Sequence, residues 1–447
     1  MHLLQRGPRG AQSRAHEHEW WVAVSEAGAS LLSSRPARRE AILPAASPTR
    51  RPHWLDSERL RLYPAVVLIC YLVWVLIYLY KAVWHPHEYI SPLAIDFLPF
   101  WSSSYLALHG HAADAYNLGV LGNVEQNALA HTVGLLPWLY PPTFLLFVYP
   151  LALLPWKIAA ATFLGGTYAL FVRAIRAIVP RREALLIAMA FPGAALVAVS
   201  GQNGLLTASL AALGLVLLRR RPVAAGICFG ILCMKPHLAV LFPLALLCSR
   251  SWRALASLAL TAMSMLAISV LVFGGGTLAA FLHNASMAAG YVESGRAALA
   301  RVPTMFALAK LAHVPSALAY AAQGLSAILA AAAVCYAWGR ETSHALRAAT
   351  LVCASLMVCP YLFDYDLTWY GVLIAWYGKY ALESGWKRGE REWLILLWLT
   401  PLAGILIVSH VKVQFMPLIS AITLWMLVRR IAQQRREPVV LGRHSGE

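Results

Sequence analysis

The chain has 447 residues, of which 60% are hydrophobic and only 13% charged, and its mean hydropathy is +0.61. A soluble globular domain is about a quarter charged, so a soluble enzyme, a disordered chain and an ordinary nucleic-acid-binding domain are excluded, and a multi-pass membrane protein is expected. The net charge of +17 fits that class without a nucleic-acid partner, because basic residues on a membrane protein gather on its cytoplasmic side.

In chain order, residues 1–58 come first. They are rich in Arg, Ser, Pro and Ala, with no long apolar run and no signal-peptide h-region. They read as a disordered basic cytoplasmic tail, or an over-extended start, and no chemistry is expected there. Residues 59–432 read as one all-α polytopic domain. At about 20 residues per membrane helix, the stretch from Tyr63 to Arg430 has room for on the order of a dozen spans. The apolar segments fall at 63–83, 157–178, 184–199, 203–218, 222–234, 238–249, 254–273, 316–338, 345–362, 367–382, 393–409 and 413–430.

One more apolar run, Tyr140 to Pro155, is ambiguous, and charge arbitrates. Basic clusters occur at Arg173/Arg176/Arg181/Arg182, Arg219/Arg220/Arg221, Arg250/Arg253, Arg340/Arg347, Lys379/Lys387/Arg388/Arg391 and at the C-terminus. All face the cytoplasm if 140–155 does not cross, so that run is read as a helix lying in or dipping into the outer interface. All but seven of the 37 Lys and Arg then lie inside. The seven outside are balanced by Glu88, Asp96, Asp114, Glu125, Glu293, Asp364 and Asp366. Twelve spans follow, with both termini inside and 433–447 as a cytoplasmic tail. Two long outer loops, 84–157 and 274–315, hold interfacial helices. Chemistry is expected on that outer face, where the connecting polypeptide is.

Asp96 is the first residue that could carry it. A carboxylate among Ile95, Phe97, Leu98 and Phe100 at a membrane surface is costly without a task. Partial desolvation would raise its pKa and strengthen it as a base. The structural alternative is a helix N-cap. The spacing Phe97, Phe100, Trp101, Tyr105, Leu108 suits an amphipathic interfacial helix. Gly201-Gln202-Asn203-Gly204 reads as an outer turn, with Gln202 and Asn203 as possible amide contacts to a sugar.

Lys235 interrupts an apolar stretch before Pro236 and His237. It could hold a phosphate as a point charge or simply snorkel; His237 is a weaker ligand. Asp364 and Asp366, in Pro360-Tyr361-Leu362-Phe363-Asp364-Tyr365-Asp366, could bind a metal or supply a base, or form a solvated helix cap. Arg296, Arg301 and Lys310 could contact phosphate or form a solvated loop face. The seven cysteines lie mostly within apolar runs, with no metal-ligand spacing.

Taken in order, these pieces resemble glycosyltransferase family 87 of the GT-C superfamily, from about Tyr63 to Arg430. The matching marks are Asp96-Phe97 with Phe100-Trp101, then Tyr105, Gly110 and Tyr116, Tyr140-Pro141-Pro142, Gly201-Gln202-Asn203, Ala225-Gly226 with Gly230, and Lys235-Pro236. Members of this family often carry Ser-Pro followed by paired histidines in the late outer loop. Here Cys359-Pro360-Tyr361 and Asp364-Tyr365-Asp366 stand in that place, which removes the basis for a histidine contact to donor phosphate and leaves the donor open.

The resemblance implies a GT-C-type bundle and a hexosyl transfer, with mannose as the default, from a polyprenyl-phosphate sugar to a lipid or glycan acceptor. It implies Asp96 as general base. Phosphate or substrate contacts would come from Lys235, His237, Gln202, Asn203, Tyr140, Arg296, Arg301, Tyr361, Asp364 and Asp366. No cofactor is expected, and no metal if cationic side chains suffice. The chain would sit in a bacterial inner membrane with its active site facing outward. A transporter or lipid flippase without transferase activity is the main alternative, and a non-catalytic assembly partner a third.

Overall fold

The computed structural model describes residues 53–85, 93–129, 136–293 and 299–434. The tail expected at 1–58 lies almost wholly outside the described residues, as do Arg296 and the segment 435–447. From Leu55 onward the chain forms one unit. Among the described residues every regular element is helical, as the long continuous apolar runs favour: without water to bond the backbone, a helix satisfies its amides within one segment.

The helices are α1 (Arg59–Trp84), α2 (Leu98–Leu108), α3 (Leu118–Ala128), α4 (Pro142–Val148), α5 (Trp156–Ile178), α6 (Arg182–Met189), α7 (Pro192–Ser200), α8 (Gly204–Leu217), α9 (Pro222–Leu232), α10 (Pro236–Ala239), α11 (Leu241–Cys248), α12 (Trp252–Phe273), α13 (Gly275–Glu293), α14 (Met305–Leu311), α15 (Ser316–Trp338), α16 (His344–Ser355), α17 (Trp369–Ser384), α18 (Glu390–Val411) and α19 (Met416–Gln434). Tight single turns at Ile95–Phe97, Ala112–Tyr116, Tyr149–Leu153, Leu299–Arg301 and Asp364–Thr368 join them.

Among the described residues six segments are long and apolar enough to cross a membrane: Arg59–Trp84, Trp156–Ile178, Arg182–Ser200, Trp252–Phe273, Ser316–Trp338 and Glu390–Val411. The apolar stretches at 203–218, 222–234 and 238–249 form shorter helices. Proline shapes the boundaries. Pro192 starts α7 just after α6 ends, and Pro236 opens α10 where α9 has stopped, because a proline ring tolerates the first helical turn but not the interior. The run 140–155 is helical, as α4 and the Tyr149–Leu153 turn, and both long connections contain helices.

Two close approaches organise the bundle around its candidate site. On α9, a Cβ at Gly226 would sit 2.4 Å from the Ala254 carbonyl oxygen, and one at Gly230 2.8 Å from that of Leu258. Small residues four apart thus let α9 lie directly against α12. The aromatic residues after Asp96 divide by depth. Phe97 and Phe100 are fully buried, with Phe100 edge-on to Trp138, Tyr140 and Phe144, while Tyr105 is exposed.

Candidate functional site

The turn between α7 and α8 is the keystone of the site. Gly201 has φ +90°, and a Cβ there would meet the Ala94 carbonyl oxygen at 2.6 Å. The Ala94 amide in turn donates to Val199 at 2.8 Å. Three residues later, a Cβ at Gly204 would sit 2.4 Å from the Tyr365 carbonyl oxygen. The Gly201–Gly204 turn therefore presses the Asp96 turn from one side and the Asp364–Thr368 turn from the other. Thr368 secures the latter by donating to the Gly193 carbonyl at 3.1 Å.

Asp96 does not cap a helix: the residues at the starts of its own turn and of α2 are Ala94 and Phe97, neither with a side-chain cap. Its carboxylate instead lies 3.6 Å from the Arg301 guanidinium, and the Gln202 side chain acts on it as well. Gln202 also accepts from the Tyr140 hydroxyl at 2.9 Å. Arg301 reaches Asp364 with two nitrogens, at 2.9 and 3.2 Å. Its backbone is held from outside the turn, since the Gln414 amide donates to the carbonyls of Ala300 and Val302.

A second ion pair lies deeper. Lys235 donates to Asp366 at 2.6 Å and to Asn203 at 3.1 Å, and its ammonium sits 4.7 Å over the Tyr365 ring and 5.9 Å over that of Tyr140. His237 Nε2 is 4.0 Å from Asp366. Lys235 does not snorkel: both members of the pair are buried.

Asp96, Tyr140, Gln202, Asn203, Lys235, His237, Arg301, Asp364 and Asp366 are thus brought to one place. Tyr361 packs beside it, against Phe306 and with its hydroxyl on that of Tyr320. Asp364 and Asp366, two residues apart, do not converge on one point: Asp364 faces Arg301 and Asp366 faces Lys235. Among the described residues no group of three or more His, Cys, Asp or Glu side chains is placed to hold a metal. Gln414 and Tyr365 are the contributors that sequence reasoning passed over. Gln414 gave one signal, a lone amide in the short link between α18 and α19.

Charge explains the protonation tendencies. Two cations face three carboxylates, so the full set of ionised groups has excess negative charge in a poorly hydrated place. Burial pushes the Asp96 carboxyl above the usual carboxylate range, and Arg301 and Gln202 pull it back only in part. Burial likewise raises Asp364 against the pull of Arg301. Burial acts upward on Asp366 too, but the Lys235 ammonium and His237 outweigh it and hold that carboxyl low. Asp366 is therefore held toward its anionic form, while Asp96 and Asp364 are both shifted toward holding a proton.

The family model of glycosyltransferase family 87 matches residues 138–360. That segment includes Tyr140, Gln202, Asn203, Lys235, His237 and Arg301, and leaves Asp96, Tyr361, Asp364 and Asp366 outside. No curated protein and no solved structure matches the chain.

Proposed function

The chain belongs to glycosyltransferase family 87, and from that premise we propose that it moves a sugar from a polyprenyl-phosphate donor to a lipid or glycan hydroxyl, with Asp96 as general base. The observation that carries the reading is the Asp96 carboxylate, raised by burial and held 3.6 Å from an arginine that a second carboxylate also grips. A base with a raised pKa takes a hydroxyl proton more readily.

In this reaction the acceptor oxygen attacks the anomeric carbon, its proton passes to Asp96, and the bond from that carbon to the phosphate oxygen breaks. Inversion follows from attack opposite the leaving group. The departing polyprenyl phosphate carries the electron pair. Arg301 would turn from Asp96 toward it, while Lys235, fixed by Asp366, would supply a standing positive field in a low-dielectric site. As Arg301 turns, Asp96 loses the cation that lowers its pKa, so donor binding would strengthen the base. Gln202 and Asn203 are placed to bond sugar hydroxyls. The aromatic segment 97–105 and the run 140–155 would wall the pocket and open toward lipid. Mannose is the default sugar.

The same proposal includes the topology: twelve spans, tails at 1–58 and 433–447 in the cytoplasm, and the 84–157 and 274–315 connections on the outer face of a bacterial inner membrane.

The test is transfer by purified protein in nanodiscs, given radiolabelled polyprenyl-phosphate mannose and a crude lipid extract, wild type beside Asp96→Asn. Label should reach a new product with wild type only, the variant losing about 10²–10⁴-fold while remaining folded. Full activity in the variant would move the base to Asp364 or Asp366. Silence with every polyprenyl-phosphate sugar would favour a transporter.

A further inference from the structure

A second group of charges lies at the other end of the bundle, and the transfer reaction has no use for it. α8 starts at the site, against Tyr365, and its fourteen residues carry it about 20 Å away at 1.5 Å per residue. At that far end, Nε2 of His344, the first residue of α16, is 2.8 Å from the Leu215 carbonyl oxygen, and its ring stands edge-on to Trp376 at 5.4 Å. Three cations bear on it electrostatically: Arg219 just beyond α8, Arg347 one turn into α16, and Lys379 on α17, whose ammonium is 5.5 Å over the Trp376 ring. Arg219 bears on Arg347 as well. Arg340 stands next to them, stacked on Tyr336 at 3.9 Å, with its carbonyl accepting from Arg347.

These cations differ from the ion-paired ones in the molecule, and among the described residues share the lack of a carboxylate partner with other basic side chains such as Arg220 and Arg253. Lys235, Arg301, Arg430 and Arg61 each form an ion pair with a carboxylate. Among the described residues Arg219, Arg340, Arg347 and Lys379 form none, although the Glu341 carboxylate bears on Arg347 more strongly than Arg219 does. The start of α16 adds positive potential of its own, since it has no side-chain cap. Donors are also in excess. The Trp376 indole N–H, on a residue 3% exposed, has no acceptor among the described residues, nor do Nε of Arg347 and Nη1 of Arg340. Like charges and unmet donors in one place are costly until an acceptor-rich anion joins them.

Depth identifies the anion. α15 is one of the six span-length helices, and it ends at Trp338, whose indole donates to the Arg347 carbonyl at 2.9 Å. Tyr336, half-buried in that last turn, marks the level of lipid headgroups, where aromatic rings collect. We propose that Arg219, Arg347 and Lys379 bind the phosphate of an anionic phospholipid headgroup, with Arg340 and the Trp376 N–H as further donors. The site depends on membrane insertion and not on the transfer chemistry.

Full-length protein, purified in detergent and stripped of lipid, is titrated with phosphatidylglycerol, phosphatidylcholine or inorganic phosphate, and bound lipid is counted by native mass spectrometry. Phosphatidylglycerol should be retained about tenfold better than phosphatidylcholine, and Arg219→Gln/Lys379→Gln should reduce that preference about fivefold or more. Arg429→Gln removes an exposed cation from α19, outside the cluster, and should keep the preference. Arg219→Glu alone, at an exposed side chain, repeats the test if the double variant folds poorly. Equal retention of the two lipids, or a preference unchanged in both Arg219 variants, overturns the site. Displacement of phosphatidylglycerol by millimolar inorganic phosphate overturns its assignment to a lipid.

Discussion

Lys235 and Asp366 are buried together at 2.6 Å, and an ion pair in that position acts less as a source of stability than as a commitment. Removing one partner strands the other in a poorly hydrated place. Lys235→Met should therefore cost about 3–5 kcal/mol, read as a fall in melting temperature in detergent. Lys235→Met/Asp366→Leu should recover much of it, and an equal loss in the single and double variants would show that the pair is not the cause. Arg301 permits a sharper test of Asp96. A base works when deprotonated, so activity is present above its folded pKa and lost as pH falls through it. Burial raises that pKa and Arg301 lowers it; removing the cation raises it further. In Arg301→Gln the acidic limb of the kcat/KM profile should move to higher pH. A limb that stays in place would separate Asp96 from the rate.

At the scale of elements, the Gly201–Gly204 turn does what no single helix does. It joins α7 to α8 while its glycines admit two neighbouring backbones, those of Ala94 and Tyr365. Gly201→Ala would place a Cβ both in a left-handed conformation and 2.6 Å from a carbonyl oxygen. We expect a stability loss of more than about 1 kcal/mol, with activity falling further because the Asp96 turn is displaced. Activity and melting temperature measured on one preparation check this, and wild-type activity would show that the turn only connects. Asn-Gly in the sequence announced a turn, and the structure has one. The sequence held no sign that its glycines answer to residues 94 and 365, because steric need at a glycine is set by whatever arrives from elsewhere.

At the scale of the molecule, the basic clusters predict sidedness, and the six span-length segments make the chain a multi-pass membrane protein. In protein whose own thiols are blocked, Ala113→Cys should react with an impermeant reagent from outside. Arg220→Cys should react only after permeabilisation. The reverse pattern would invert the proposed topology, and labelling of both from one side would break the twelve-span count.

Composition and hydropathy determined the class, since apolar runs about 20 residues long satisfy their backbone in a membrane as helices. The charged residues of the site were legible one by one, because a lysine or aspartate in an apolar run is rare and costly. Who meets whom was decided by tertiary structure alone. Lys235 finds Asp366 across 131 residues and Arg301 finds Asp364 across 63, and separations of that size leave no periodicity to read. The same applies to the cations near His344: their excess was visible as scattered basic clusters, but only the packing of α8, α16 and α17 gathers them. Sequence sets the number and sign of the charges, and the fold sets the distances, on which their energies depend.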